Sequence, residues 1–341
     1  MLFRSDMRLV LDGVFNHMGR NSARFKDAEA NPESEYRDWF YFGDQYQSGA
    51  RCWWLAENLP EINLENPKVR KHVYAGKNSA VRGYLRDGVD GWRLDVAMDI
   101  GMKWLTELTA AAHREKPGSL VVGEIANYPK EWFPAVDGIM HFTMKNILLG
   151  LMNGDIDAQH ARRMIERMYR DSDFEHMLMS WIYLDNHDTP RLAHMVNDPQ
   201  RRRLAQLLQF TLPGSPNLYY GTELGMTGGD DPEMRAPMRW DWVNDQNVSL
   251  TWTKQLIQLR RNHRALRVGD FRSVETNALF GFERFTDRVE DTVIVLTNPT
   301  NVEVTETVLI ANSKLMNTFE CVDVIDPNFR VPIYTSMVDR K

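Results

Sequence analysis

Cysteine is nearly absent from this chain: Cys52 and Cys321 are its only two, far apart in the sequence. So few thiols cannot build a disulfide framework or a zinc cluster, and a reducing, cytoplasmic setting is the simpler expectation. No run of 18 apolar residues occurs, so no transmembrane helix is expected. The opening Met1–Asp6 carries no apolar signal-peptide core, and there is no short-period repeat and no low-complexity tract. Charge of one sign is not in large excess either. Lys and Arg number 41 against 47 Asp and Glu, a net of −6, which argues against a nucleic-acid or anionic-membrane partner. What remains is an ordinary globular composition, 43% hydrophobic and 26% charged. At 341 residues there is room for one large domain, or a large one and a small one.

Short apolar runs alternate with helix-like stretches. Met7–Phe15, Val89–Val96, Leu120–Val122, Gly138–Phe142, Met177–Leu184 and Asn217–Tyr220 read as strands. Helical patterns cover Met102–Arg114, Ala158–Tyr169, Arg201–Phe210 and Ser249–Arg261. Continuous apolar strands separated by helices predict a parallel sheet buried on both faces. From about Gly269 strand-like alternation takes over (Gly281–Phe285, Thr292–Leu296, Val302–Leu309), predicting a small antiparallel β domain. The stretch from Gly19 to Ala80 breaks the alternation. It is polar and aromatic-rich, with Trp53-Trp54 near its middle, and long insertions at strand ends are usually functional.

Four segments place polar side chains at or just after an apolar strand: Leu11–His17, Asp90–Asp99, Val121–Asn127 and Tyr183–Arg191. In a parallel barrel such strand ends converge on one mouth. Carboxylates at three of these ends, Asp95, Glu124 and Asp188, suit glycosidic bond cleavage. That reaction needs a nucleophile, a proton donor to the leaving oxygen and negative surroundings for an oxocarbenium-like transition state. Arg93, two residues before Asp95, shares its face of the strand and would hold it ionised. Glu124 follows an apolar run, a desolvated position suited to a general acid. Each segment alone has a plainer reading, since Asp12 and Asn16 form turns readily and Asn186-His187-Asp188 could cap a helix.

Together the segments DGVFNH, GWRLDVA, VGEI and NHD resemble the four ordered regions of the α-amylase superfamily, glycoside hydrolase family 13. Leu59–Pro67 is similar to a motif of its cyclomaltodextrinase, neopullulanase and maltogenic amylase branch, and Leu212–Glu223 to the eighth barrel strand and its turn. The resemblance implies an α/β fold, a partial (β/α)8 TIM barrel holding strands 3 to 8 over residues 1–267, with an inserted loop region at about 19–80. An antiparallel β domain would follow over residues 268–341. It implies hydrolysis of α-1,4-glucosidic bonds in maltodextrins or cyclomaltodextrins with retention. Asp95 would be the nucleophile, Glu124 the acid/base and Asp188 the carboxylate gripping sugar hydroxyls. Arg93, His17 and His187 would line the same sugar subsite, with Arg191 and Arg235 as further substrate contacts and Asp12 and Asn16 holding strand ends.

The resemblance begins at the family's third strand, and Asp339–Lys341 ends where one more strand is expected. A fragment is the expectation, with exposed sheet edges, possible self-association into a homo-oligomer and little activity in isolation. Met98 and Asp99 occupy positions where many α-amylases carry a Lys-His pair contacting glucan and a structural calcium. No metal or other cofactor is therefore expected to be required, although acidic loops could bind calcium weakly. Alternatives within the superfamily are α-glucosidase, α-amylase or glucosyltransferase activity. Outside it stand a non-catalytic glucan-binding or scaffold relative, and a metal hydrolase built on Asp12, His17, His187 and Asp188.

Overall fold

The computed structural model describes residues 6–335, so the expectations placed on Met1–Ser5 and on Asp339–Lys341 lie outside the described residues. The chain divides into two compact units, Met1–Thr143 with Ser172–Trp181, and Met144–Asp171 with Ile182–Lys341. Among the described residues no helix is long and apolar enough to cross a membrane.

The first unit is built on parallel strands β1 (Val10–Gly13), β2 (Gly91–Leu94), β3 (Leu120–Ile125) and β4 (Gly138–His141). They pair in sequence order, and β4 in turn pairs through Met140 with Trp181, the first residue of β5 (Trp181–Ile182). Every residue of β2 and β4 is buried, which is why these runs read as continuous rather than alternating. Gly91 is required by close approach, since a Cβ there would sit 2.4 Å from the carbonyl oxygen of Leu120. The returning helix Met102–Glu115 buries Leu105, Leu108, Thr109, Ala111 and Ala112, a single stripe at helical spacing. At the far ends of the strands Asp90 accepts from the backbone of Leu9 and from Lys116, at 2.8 and 2.7 Å.

The inserted region is ordered by its aromatics and by one strap. Phe25 packs edge-on against Phe40 and stacks with Phe42. The Leu59–Pro67 motif is that strap: Met18 donates its N–H to Pro60, Ile62 donates to Asn16, and His17 bridges Glu61. Asn63 holds it in place, accepting from the Tyr41 hydroxyl and the Glu65 N–H and donating to the Asp38 carbonyl.

In the second unit the helices Pro199–Thr211 and Val248–Asn262 pack around Phe210, Trp252 and Leu256, and helix Ala158–Asp171 lays Tyr169 against Phe271. Strand β6 (Ser215–Pro216) is short, and the next residue, Asn217, donates to the Ile182 carbonyl. An antiparallel sheet follows, β7 (Asp270–Val274), β8 (Phe280–Phe285) and β9 (Val293–Thr297). Arg284 of β8 is fully buried and donates to the carbonyls of Thr211, Leu266 and Gly269, tying sheet to helices.

Three expected strands differ. Asn217–Tyr220 holds no strand residue, since only Ser215–Pro216 just before it are strand. Most of Met177–Leu184 is not strand. Helix Phe174–Met179 takes its start, capped by Asp173, and only Trp181–Ile182 pairs. A short apolar run has no period that separates the two states, and the Asp173 cap decides it. Val302–Leu309 forms no strand beyond a single bridge from Leu309 to Glu275, and both end residues are exposed. There Glu306 instead caps a turn, accepting from the N–H groups of Asn277 and Leu279.

Candidate active site

The first unit gathers five polar side chains at the C-terminal ends of β1, β2 and β3. The register pairs Asp12 of β1 directly with Arg93 of β2, so residues 81 apart meet. Arg93 Nη1 donates to Asp12 at 2.6 Å and to Asp95 at 2.8 Å, and Nη2 lies 2.8 Å from Glu124 Oε2. One guanidinium thus serves three carboxylates. Burial pulls the Arg93 guanidinium down, but Glu124, Asp12 and Asp95 together overcome it and hold it above its ordinary range. The sequence expectation paired Arg93 with Asp95 alone; Asp12, given only a strand-holding part, is an equal partner.

The turn carrying Asp95 is fixed at two points. Asp95 donates its N–H to the Gly13 carbonyl at 3.1 Å, extending the ladder one residue beyond β2. Val96 then adopts a φ of 37°, unusual for a β-branched residue, and donates its N–H to Glu124 Oε2 at 3.0 Å. The carboxyl of Glu124, within β3, therefore faces both Arg93 and the turn behind Asp95.

His17 closes the group, its Nε2 lying 3.8 Å from Asp95 Oδ2. Burial lowers its pKa, opposed by Asp95, Glu61 and Asp99, which favours a neutral ring. Its face stacks on Trp53, with ring centroids 5.7 Å apart, and the Trp53 indole N–H donates to Asp99 at 2.8 Å. Asp99, noted above for what it replaces, is the anchor of that ring. Trp53 was not among the expected site residues; its only signal was its place in an aromatic-rich insertion.

The second unit holds the remaining expected residues. Asp188 receives Arg235 Nη2 at 2.9 Å and lies 3.1 Å from His187 Nε2, all three half-exposed. The loop is shaped by its own side chains: Asn186 Oδ1 accepts the Asp188 N–H, and Thr189 accepts that of Asn186. Arg191 is different from the expectation. It is fully buried, donates to the Tyr220 carbonyl at 2.6 Å and lies over the Tyr219 and Tyr220 rings, so its guanidinium braces a turn and faces no solvent. Beneath the loop Asp185 accepts from the Leu192 N–H and the Thr222 hydroxyl. Among the described residues no group of three or more His, Cys, Asp or Glu side chains is arranged to hold a metal ion.

The paired strand ends thus gather three carboxylates around one arginine on a βα framework. Residues 2–287 match the family model described as alpha amylase, catalytic domain, and the chain belongs to the alpha-amylase family. Its fold is TIM-barrel-like, a parallel sheet with a small antiparallel sheet, as in its structural neighbours. It is 31% identical to a cyclomaltodextrinase from a Bacillus species over 86% of this chain and 54% of the relative. It is 29% identical to neopullulanase 2 of Thermoactinomyces vulgaris, over 84% of this chain and 50% of that protein. Among solved structures the debranching enzyme of Nostoc punctiforme superposes with a TM-score of 0.82 at 26% identity, covering 91% of this chain and 70% of that one. The chain spans about half the length of the relatives it matches.

Proposed function

We propose that this chain carries the catalytic machinery of a retaining glycosidase acting on α-1,4-glucosidic bonds of maltodextrins or cyclomaltodextrins. The observation that supports it most is the single Arg93 guanidinium bound to Asp12, Asp95 and Glu124 at the ends of three consecutive parallel strands. In the first half-reaction Asp95 attacks the anomeric carbon as Glu124 gives a proton to the leaving glycosidic oxygen. In the second, Glu124 takes a proton from water, which displaces Asp95 with net retention. His17 and Arg93, beside Asp95 in the first unit, contact the sugar, and the family resemblance assigns Asp188, paired with Arg235, to sugar hydroxyls. No metal or other cofactor enters the reaction. The cyclomaltodextrinase and neopullulanase relatives support this substrate class.

A fluorinated glucosyl fluoride that is slow to deglycosylate tests the assignment by intact mass and peptide mapping. A single adduct on the Asp95 peptide, absent from D95N, is expected. Labelling at any other residue, or none under prolonged incubation, would refute it. Because trapping reads one turnover, the outcome does not depend on a high rate.

A further inference from the structure

Beyond Trp53 the aromatic surface continues. Residues 51–61 form a tight hairpin in which Cys52 bridges Pro60 and Trp53 accepts a turn-closing bond from the Ala56 N–H at 3.0 Å. Trp54 occupies the first central position of that turn with a φ of 50°, a place glycine or asparagine usually fills. Its side chain is 79% exposed, and its ring centroid lies 6.3 Å from that of Trp53, the planes tilted by 52°. A large apolar ring in a strained backbone conformation and in water contributes little to folding. Strain of this kind persists where it serves binding.

Taking the proposed glucan chemistry as its basis, we infer that Trp54 is an aromatic platform for a distal glucose residue of an α-glucan bound along His17 and Trp53. The contacts form a chain: Asp95 to His17, His17 to the Trp53 face, Trp53 to Trp54. Each indole offers a flat π-face to the C–H face of a pyranose, and the successive tilt suits a chain that curves, as α-1,4-linked glucose does. The Trp53 ring is held by its bond to Asp99, so the inner platform is fixed and Trp54 extends it by one ring.

Titrating the full chain with maltose and with maltoheptaose, followed by tryptophan fluorescence, separates the outcomes. W54A weakens maltoheptaose binding roughly 10-fold and leaves maltose within about twofold, while W54F retains most of the affinity. W54G keeps or raises the melting temperature, because glycine suits this φ, while losing the same affinity. Unchanged maltoheptaose binding in W54A, or equal loss for both sugars, overturns the inference and leaves the assignment of Asp95 standing. Lower stability in W54G would give Trp54 a packing role and overturn it as well. Failure of the unaltered chain to bind either sugar overturns both readings.

Discussion

Arg93 concentrates the chemistry of the first unit because a guanidinium can present separate N–H groups to carboxylates in different directions, as an ammonium cannot. Replacing it by Lys leaves the charge but not the fork that spans Asp12, Asp95 and Glu124. R93K is expected to slow covalent labelling of Asp95 by about 100-fold or more through misplacement of the carboxylates, measured as the adduct's rate of formation. Asp185 tests a buried charge in the second unit. Burial pushes its carboxyl up from 3.8 to about 6, against the Leu192 N–H, the Thr222 hydroxyl and Arg191, with Glu223 adding to the rise. The folded state therefore holds its proton more tightly than the unfolded chain. This stabilisation is complete below about pH 4 and is lost as the pH rises through about 6. In D185N that dependence disappears. Its stability relative to the unaltered chain should rise by about 2 kcal/mol between pH 4 and pH 7, read from urea midpoints at each pH. A gap that stays constant across this range would show that Asp185 is charged throughout.

At the scale of elements, the strap Leu59–Pro67 explains why a motif with no reactive group accompanies the site. It pairs with residues 16–18 and so holds His17, and Asn63 is the pin, with three side-chain hydrogen bonds. Asn63→Ala should cost about 1–3 kcal/mol and raise hydrogen exchange across residues 38–66 before the parallel strands open. Uniform exchange throughout the first unit would contradict a local role. Elements were legible in the sequence where burial dictates a period. The stripe of Met102–Glu115 and the buried runs of β2 and β4 are of this kind. Phe174–Met179 was not, because a short apolar run is compatible with either backbone and one capping carboxylate chose between them. Val302–Leu309 alternates as a strand should but, among the described residues, pairs only through Leu309 with Glu275.

For the whole molecule, the C-terminal hairpin β10 (Glu320–Val322) and β11 (Arg330–Pro332) leaves apolar side chains in water, Phe319 at 83% and Tyr334 at 84% exposure, with Phe329 and Val331 beside them. Such a surface favours association with a second copy. Sedimentation velocity over a concentration series should show self-association that F319S and Y334S together reduce. A monomer at every concentration would refute the homo-oligomer expectation.

The sequence by itself determined the chemical inventory: which carboxylates stand at strand ends, which arginine and histidines neighbour them, and to which family their order belongs. Those are local matters, set by residue type and spacing along a few residues. The tertiary structure decided who touches whom. The register of β1 against β2 brings Asp12 onto Arg93, the β3 neighbour adds Glu124, and the strap and hairpin set Trp53 against His17. The same packing withdrew Arg191 from solvent and made it a brace for the Tyr219–Tyr220 turn. Contacts between residues dozens of positions apart depend on strand pairing and burial across the fold, and no local period in the chain encodes them.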